Sequence, residues 1–477
     1  MQPFNRPEPP TISPLDLRVI IPCNLTESRK FLAYEVKKRL PPVGPVRRWF
    51  RAPNPRDFQL LGYKIVGSDY PMKSAHLRLA GRFYVAGVLA IHLLVVWNAR
   101  ELILKGYPDF TIYYTAGTIV RQGMGHQLYD DRVQFAVQKQ FAPQVATRLG
   151  ALPFNHPPFE ALLYVPLTWL SYRAAYLLWT LANLGMLAAL PILLRPYVPM
   201  MAAWSAPAWT GVSLVFFPIF FALLQGQDAI LLMFLYGLTF VSLRKERLVV
   251  AGAWLACGLF KFHLVLPALV LLLIQQKALQ PSKKILFGFT LVGALLGAVS
   301  IATVGMGQMI AYPRYVLGLE ATMARGAIMP SDMPNLRGAL YLLASNVRFF
   351  DVLVVALSAI LFLVAAWNSR PRNGSAADLQ FATAVFATVL VSYHALGYDL
   401  CVLVLPALLL AGELKDRQVH GTWTHSAIIV GLVILLFSPL QLVLLMRYNH
   451  LALLGWGVLL CFIGLSGELR ARTRMGA

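Results

Sequence analysis

Long stretches of apolar residues, separated by short polar segments, run along most of this chain from about residue 82 onward. Many of them approach the roughly 20 residues that a helix needs to cross the hydrocarbon core of a bilayer. None alternates between apolar and polar residues as a membrane-spanning strand does. Because lipid offers the backbone no hydrogen-bond partner, the pattern predicts transmembrane helices. The apolar runs are 82–98, 157–171, 173–194, 202–222, 227–243, 249–260, 262–275, 285–304, 350–367, 378–394, 399–413, 425–445 and 451–468.

Two polar-aromatic segments, 99–156 and 305–349, interrupt the apolar runs and are too long for ordinary turns. Loops of this length within a compact protein are usually functional. The predicted fold is therefore all-α: a polytopic transmembrane helical bundle of about 11–13 membrane segments, with a long first outer loop.

Composition supports membrane embedding. Of the 477 residues, 58% are hydrophobic and 13% are charged, whereas about a quarter of a soluble domain is charged. Basic flanks that set membrane orientation explain most of the net charge of +21, and no nucleic-acid-binding module accompanies it. The four cysteines are scattered and have neither metal-site nor disulfide spacing. We therefore expect membrane lipids as partners and no nucleic acid.

The first 78 residues form a proline-rich segment with 14 Lys and Arg against 6 Asp and Glu. This composition predicts a loosely structured cytoplasmic arm that rests on anionic lipid. Residues 79–469 are predicted to form the transmembrane domain, and residues 470–477 a basic cytoplasmic tail.

Lys and Arg also predict the orientation, because short cytoplasmic loops are enriched in them. A cytoplasmic N-terminus places segment 99–156 outside. Later basic clusters stay inside only if run 249–275 is broken around Lys261 and His263, which returns both residues to the outer face. Three apolar runs between segment 99–156 and the polar turn at 225–228 conflict with placing both outside. Either 157–171 is re-entrant, or 202–222 breaks near Pro207.

Asp109 lies shortly after the first apolar run, which places it near the predicted membrane boundary. A carboxylate there can accept a proton from a hydroxyl group, as a general base must. The alternative is that Asp109 caps a helix that starts at Phe110. The two interpretations are compatible, because a cap at a fixed loop position is also a fixed carboxylate.

Two further polar sites border apolar runs. His156 precedes a Pro pair that can start a helix, so it is either incidental or a ligand for a phosphate or an acceptor hydroxyl. Gln225, Gln227 and Asp228 form either an ordinary turn or a site for sugar hydroxyls.

Lys261 and His263 lie within apolar sequence. Ionisable residues in the membrane are costly, so their default interpretation is functional, and the Lys ammonium suits a phosphate. Snorkelling to the surface is the alternative.

Three more candidates lie further along the chain. Arg337, in the second long segment, either clamps a phosphate or is an ordinary surface residue. His394 and Asp399 form a polar group between two apolar runs, which a simple turn does not explain.

No Gly-rich phosphate loop, serine nucleophile motif or clustered metal-ligand motif is present in the sequence. Nucleotide chemistry therefore lacks support, and the polar candidates collect on the predicted outer face. A transferase facing outward needs a lipid-carried donor, because nucleotide sugars are generally confined to the cytoplasm.

Taken in order, these motifs resemble the polyprenol-phosphate-dependent glycosyltransferases of the GT-C fold, in particular glycosyltransferase family 87. The resemblance covers roughly residues 80–415. The matching residues are Pro108-Asp109-Phe110, Tyr113-Tyr114, Gly123, Leu128-Tyr129-Asp130, His156-Pro157-Pro158-Phe159, Pro166-Leu167, Trp179, Gly226-Gln227, Ala251-Gly252, Lys261, Asn335-Leu336-Arg337-Gly338, His394 and Tyr398-Asp399.

The resemblance implies a multi-pass protein of the cell (inner) membrane with its active site on the non-cytoplasmic face. It implies transfer of a mannose-like hexose or a pentose from a polyprenyl-phosphate donor to a lipid or glycan acceptor, with inversion. Asp109 would be the general base, and Lys261, His263 and Arg337 would stabilise the departing phosphate. No cofactor and no metal are expected, because the family's first-loop motif has a lone acidic residue. The 78-residue arm departs from the family pattern, in which the first span comes early.

A second hypothesis is a transporter or flippase for a lipid-linked or glycan substrate, since broken helices with polar midpoints are typical of transporters. It predicts internal repeats, and the two halves of the sequence share no repeated polar pattern. A non-catalytic assembly protein that uses the loops as docking surfaces is a third possibility.

Overall fold

The computed structural model describes residues 74–143, 152–202, 205–276, 279–321, 329–370, 377–415, 422–448 and 450–475. These ranges consist of helices and their connections and contain no β-strand, which confirms the all-α prediction. Residues 1–73, nearly all of the predicted N-terminal arm, lie outside the described part of the chain.

The helices fall into two groups along the chain. Those of the first half are α1 (Ser74–Leu104), α2 (Phe110–Arg121), α3 (Asp131–Phe141), α4 (Pro158–Tyr164), α5 (Tyr172–Leu194), α6 (Pro199–Ala202), α7 (Ala206–Ser213), α8 (Phe217–Gln225), α9 (Ala229–Arg244) and α10 (Leu248–Cys257). Those of the second half are α11 (Phe262–Ile274), α12 (Leu279–Val304), α13 (Met306–Ala321), α14 (Leu336–Ala344), α15 (Phe350–Asn368), α16 (Ala377–Val391), α17 (Val404–Lys415), α18 (Thr422–Leu436), α19 (Ser438–Val443) and α20 (Leu454–Met475). Short 3₁₀ or π turns occupy Gly125–Gln127, Val165–Trp169, Leu259–Lys261, Pro330–Asp332, Gly397–Leu403 and Leu444–Tyr448.

Six helices among the described residues are long and apolar enough to cross a membrane, or up to nine if each bent helix pair counts as one span. The two shorter apolar helices α9 and α16 add to these. Only 11% of the most apolar window of α15 is buried inside the protein, and Phe83 of α1 is 70% exposed. Such exposed apolar surface is stable only against lipid, so these helices face the bilayer.

The predicted break in run 249–275 is confirmed. Its two halves, 248–257 and 259–274, meet at an angle of 60°, and the second half begins with the 3₁₀ turn that contains Lys261. Run 202–222 is also broken, with an angle of 85° between α7 and α8. This break lies at residues 214–216 and not near Pro207, because Pro207 stands in the first turn of α7, where a missing N–H costs nothing.

Run 157–171 forms only the seven residues of α4 and a 3₁₀ turn, too short to cross a bilayer. The break in run 202–222 and the short length of run 157–171 both concern the three apolar runs that conflicted with placing segment 99–156 and the 225–228 turn on the outer side.

A third break, of 56° between α18 and the helical segment that follows it, was not predicted. It lies against the break between α7 and α8. The Ser438 hydroxyl donates to the Val215 carbonyl and accepts from the Phe217 N–H, at 3.1 Å for the latter. His92 of α1 supplies another partner, because its Nδ1 lies 2.9 Å from the Leu214 carbonyl oxygen. Backbone groups freed by one break are thus satisfied by neighbouring helices, as a broken membrane helix requires.

The two segments predicted as long loops contain helices. Segment 99–156 holds α2 and α3, and segment 305–349 holds α13 and α14. Ten of the twelve residues of α2 are buried, so this helix packs inside the protein. A helix starting at Phe110 was predicted only as the capping alternative for Asp109, because polar and aromatic side chains that pack against protein form no apolar run.

Helices α9, α11 and α16 connect two ends of the molecule. At one end, Lys261 before α11 pairs with Asp228 before α9. At the other, Arg244 at the end of α9 pairs with Asp378 at the start of α16, and Gln275 after α11 donates to the Gln380 carbonyl. With 1.5 Å per residue, the 16-residue α9 separates these ends by about 24 Å.

Candidate active site

The polar turn at 225–228 forms the floor of the candidate site. Helix α8 ends at Gln225, and Gly226 follows with φ of +63°, a left-handed conformation that glycine adopts without strain. A Cβ atom at Gly226 would lie 2.7 Å from the Cβ of Phe110. The Trp179 indole N–H donates to the Gly226 carbonyl at 3.0 Å. The turn is therefore fixed, and it directs Gln225, Gln227 and Asp228 into the protein.

Asp109 lies directly before α2 and is 8% exposed. Its side chain forms no capping hydrogen bond, so the capping interpretation does not hold. Instead, the Gln227 amide donates to Oδ2 of Asp109 at 2.7 Å, and the Asp109 backbone N–H donates to Oε1 of Gln225 at 3.2 Å. The 225–228 turn thus sets the position of both the backbone and the carboxylate of Asp109.

Tyr113, one turn into α2, connects Asp109 to His156. Its hydroxyl donates to Oε1 of Gln227 at 2.7 Å and lies 3.5 Å from Nε2 of His156. The Gln227 amide has its N–H group on Asp109, so its oxygen faces Tyr113 and the tyrosine must be the donor. The Tyr113 hydroxyl can then only accept from His156, which assigns the proton of a neutral imidazole to Nε2.

Nδ1 of His156 faces two carboxyl groups. It lies 2.7 Å from Oε2 of Glu160, one turn along α4, and 3.8 Å from Oδ2 of Asp228. The three ligand atoms all lie within 4.8 Å of one another. Burial lowers the pKa of His156 to about 4, against an opposing effect of Asp228, so the ring is neutral near pH 7. Burial and the nearby Asp228 raise the pKa of Glu160 well above its usual value.

Lys261 lies between two acids. Its ammonium nitrogen is 2.9 Å from Oδ1 of Asp228 and 3.0 Å from Oδ1 of Asp399, and all three side chains are at most 5% exposed. Oδ2 of Asp399 accepts from the Leu396 N–H at 2.8 Å. The Tyr398 ring centroid lies 5.1 Å from the same ammonium nitrogen. Lys261 is thus held inside the site and does not snorkel to the surface.

The remaining predicted site residues are His263, His394 and Arg337. The rings of His263 and His394 are 5.8 Å apart, centroid to centroid, in an edge-to-face arrangement. Arg337 lies in α14, where its guanidinium stacks on Tyr393 at 3.9 Å and approaches Asp351 at 3.7 Å. Asn335 joins α14 to the same region, because its amide donates to the Ser392 carbonyl at 2.6 Å.

The structure therefore brings Asp109, His156, Gln227, Asp228, Lys261 and Asp399 into one connected network, with His263 and His394 edge to face and Arg337 beside Tyr393. Two residues that contact this network, Tyr113 and Glu160, were not predicted as site residues. The i, i+4 spacing of His156 and Glu160 at a helix start could have indicated Glu160, since such residues share one helix face. Tyr113 belonged to the family resemblance, but no spacing distinguished it as a site residue among the aromatic residues of its segment.

Chemically, the network offers a fixed carboxylate, amide groups and one buried ammonium, linked by hydrogen bonds and placed at the ends of broken membrane helices. These features define a polytopic membrane protein with a polar interior site suited to a substrate rich in hydroxyl groups.

Comparison with known families gives the particular class. The sequence profile of glycosyltransferase family 87 matches residues 154–393, just over half of the chain. The chain belongs to this family and is a membrane glycosyltransferase, which favours the enzyme over the transporter hypothesis. The match begins after Asp109 and ends just before His394. Comparisons with curated proteins and with solved structures found no match.

Proposed function

We propose that this protein transfers a mannose-like hexose or a pentose from a polyprenyl-phosphate donor to a hydroxyl group of a lipid or glycan acceptor, with inversion. The single observation that carries the proposal is the setting of Asp109. Its carboxylate is buried at the entrance of a helix, makes no capping bond, and is held by the Gln227 amide. A carboxylate fixed in this way costs little reorganisation when it accepts a proton.

In the proposed reaction, the acceptor O–H gives its proton to Asp109 while its oxygen attacks the anomeric carbon. The bond between that carbon and the phosphate oxygen breaks, and polyprenyl phosphate leaves with the bonding electron pair. A single displacement of this kind inverts the configuration at the anomeric carbon. Gln227 keeps the carboxylate oriented, and Tyr113 keeps the amide of Gln227 oriented.

Lys261, His263 and Arg337 are the proposed groups for the phosphate side. Lys261 already has two carboxylate partners, so its charge is balanced before a donor binds. Its role is then to hold Asp228 and Asp399 in place and to donate one hydrogen bond to an incoming phosphate. Arg337, stacked on Tyr393, offers a planar fork that suits a phosphate. His156, Gln227, Asp228, His394 and Asp399 are proposed to line the sugar and acceptor positions.

The orientation is also a proposal: the N-terminus in the cytoplasm and the site on the outer side of the cell membrane. It is supported by the end of the bundle opposite the site, which carries Arg244, Lys245 and Arg247 at the α9–α10 connection. Connections rich in Lys and Arg are typical of the cytoplasmic side. This orientation requires that not every apolar run between segment 99–156 and the 225–228 turn crosses the membrane fully. The short α4 and the bent α7–α8 pair support it.

The test is the substitution Asp109→Asn in the purified full-length protein, assayed with labelled polyprenyl-phosphate mannose and arabinose and with lipid and glycan acceptors. The Asn side chain can still accept from Gln227, but it cannot take a proton, so we expect transfer to fall by roughly 10²–10⁴-fold. Asp130→Asn is the matched control. Asp130 lies in the same segment and caps α3 through Arg132 N–H, a role that Asn fills equally well.

Retention of wild-type transfer by Asp109→Asn would remove the general-base role. Absence of transfer by the wild-type protein with every polyprenyl-phosphate donor and acceptor would remove the proposed donor class. Retained stereochemistry at the anomeric carbon would contradict the single displacement while leaving the donor class intact.

A further inference from the structure

The triad of His156, Glu160 and Asp228 has the composition of a divalent-cation site. One imidazole nitrogen and two carboxylate oxygens converge, and all lie within 4.8 Å of one another. A cation about 2.1–2.2 Å from each ligand atom separates neighbouring ligand atoms by roughly 3–3.6 Å. The observed separations of 2.7 Å and 3.8 Å from Nδ1 of His156 bracket this range. The triad therefore needs only small side-chain movements to hold a metal ion.

The residues around the triad prepare the ligand atoms for a cation. Nε2 of His156 faces the Tyr113 hydroxyl, which leaves the lone pair on Nδ1 directed at the two carboxyl groups. Oδ1 of Asp228 is taken by Lys261, which leaves Oδ2 on the side of the triad. Outer partners of this kind fix ring tautomer and carboxylate orientation in metal sites.

Glu160 supplies an independent observation. The residue is 2% exposed, and no hydrogen-bond donor among the described residues reaches its Oε1. A buried carboxyl oxygen without a donor normally has a missing partner, such as an ion. A proton shared by Glu160 with His156 or with Asp228 links only two of the three groups, whereas a cation can bind all three at once.

The charge balance of the network also favours a bound cation. The Lys261 ammonium contacts two buried carboxylates, those of Asp228 and Asp399, and Asp109 adds a third buried carboxylate to the same network. Uncompensated negative charge in a buried site is unfavourable, and it would also repel a phosphate-bearing substrate. A divalent cation would offset both effects.

We propose that His156, Glu160 and Asp228 form a binding site for one divalent metal ion of the Mn²⁺ type, which accepts a mixed set of imidazole and carboxylate ligands. The site departs from the expectation of a metal-independent enzyme. If the proposed function is right, the ion would offset negative charge beside the sugar and acceptor positions that His156 and Asp228 line. The metal site itself does not depend on that activity, because it is defined by ligand geometry.

Direct metal binding is the test. The full-length protein, purified in detergent and stripped with EDTA, is titrated with Mn²⁺ alone, and free Mn²⁺ is measured by electron paramagnetic resonance. We expect one saturable site per chain. Glu160→Gln and His156→Asn should each weaken binding by at least about tenfold. Glu101→Gln, which changes an exposed glutamate at the end of α1, should bind like the wild type.

Size-exclusion elution and helical circular dichroism establish that each variant is folded, and either folded variant suffices for the comparison. No saturable Mn²⁺ binding by the wild-type protein would overturn the proposal. So would binding that survives either substitution in a folded variant. Mn²⁺ binding without sugar transfer would leave the metal site standing and remove the proposed function. Transfer that persists in EDTA, in a protein that binds no Mn²⁺, would remove the metal site and leave the proposed function standing.

Discussion

The two ends of this molecule carry ion pairs of similar geometry in opposite surroundings. At the active-site end, Lys261 contacts Asp228 and Asp399 at 2.9 Å and 3.0 Å, with side chains at most 5% exposed. At the other end, Arg244 contacts Asp378 at 3.0 Å, with side chains 42% and 26% exposed. Distance alone therefore does not distinguish them. Burial does, because water screens the second pair and can replace either partner, whereas the first has no such substitute.

The comparison also separates two uses of charge in a membrane protein. Charges at the Arg244 end meet water and contribute to orientation, and each side chain is individually replaceable. Charges at the Lys261 end lie where helices α9 and α11 begin, inside the protein, and are linked to the candidate general base through the 225–228 turn. Loss of Lys261 there leaves Asp228 and Asp399 buried without their cation.

Substitution of Lys261 by Met is expected to give the largest effect on stability. It keeps the length of the side chain and removes its charge, which leaves Asp228 and Asp399 buried without their cation. Breaking a buried pair in this way costs about 3–5 kcal/mol, so we expect a large drop in the thermal unfolding midpoint in detergent. Lys245→Met, at an exposed position after α9, is the control and should change little. An unfolding midpoint like that of the wild type would show that burial is not decisive here.

Gly226→Ala tests whether the backbone of the turn, and not only its side chains, builds the site. The new Cβ would meet Phe110 at 2.7 Å, and the residue would keep a left-handed φ of +63°. Strain and overlap together predict a loss of about 2–4 kcal/mol and a loss of transfer, since Gln227 and Asp109 would shift.

Gly185→Ala is the matched control for that turn. Gly185 lies within α5, and a Cβ there meets nothing within 4 Å, so equal or slightly higher stability is expected. Equal unfolding midpoints and equal transfer rates for both variants would show that the turn adapts freely.

Arg244→Gln should give the smallest effect. The pair with Asp378 is partly exposed, so its contribution is expected to be below about 1 kcal/mol and to weaken further with added salt. Unfolding midpoints at low and high ionic strength measure this. A loss as large as that of Lys261→Met would contradict the contrast between the two ends.

How much of this could be predicted from sequence depended on the kind of signal. Apolar runs predicted the helices that face lipid, and the basic clusters required the break at Lys261, which the structure contains. Helix α2 gave no membrane signal, because its polar and aromatic residues pack against protein, and its start at Phe110 was predicted only from the possible cap at Asp109. The predicted position of the break in run 202–222 was wrong, because a proline in the first turn of a helix does not interrupt it.

The candidate site was predicted as separate residues and not as a network. Intramembrane charge identified Lys261, and polar turns identified Gln227 and Asp228. Their pairing depends on helix packing between distant segments, which sequence spacing does not encode. Glu160 went unnoticed because a single acidic residue inside an apolar run looks incidental until its neighbours are known.

One consequence follows from where the helices begin. Helices α2, α9 and α11 all start beside the site, after Asp109, Asp228 and Lys261, respectively. The aligned peptide dipoles of each helix place the equivalent of roughly half a positive charge at its N-terminal end. This part of the local electrostatic potential belongs to the main chain. It persists when any one cationic side chain is replaced, so attraction for anions here is set by the architecture as well as by residue identity.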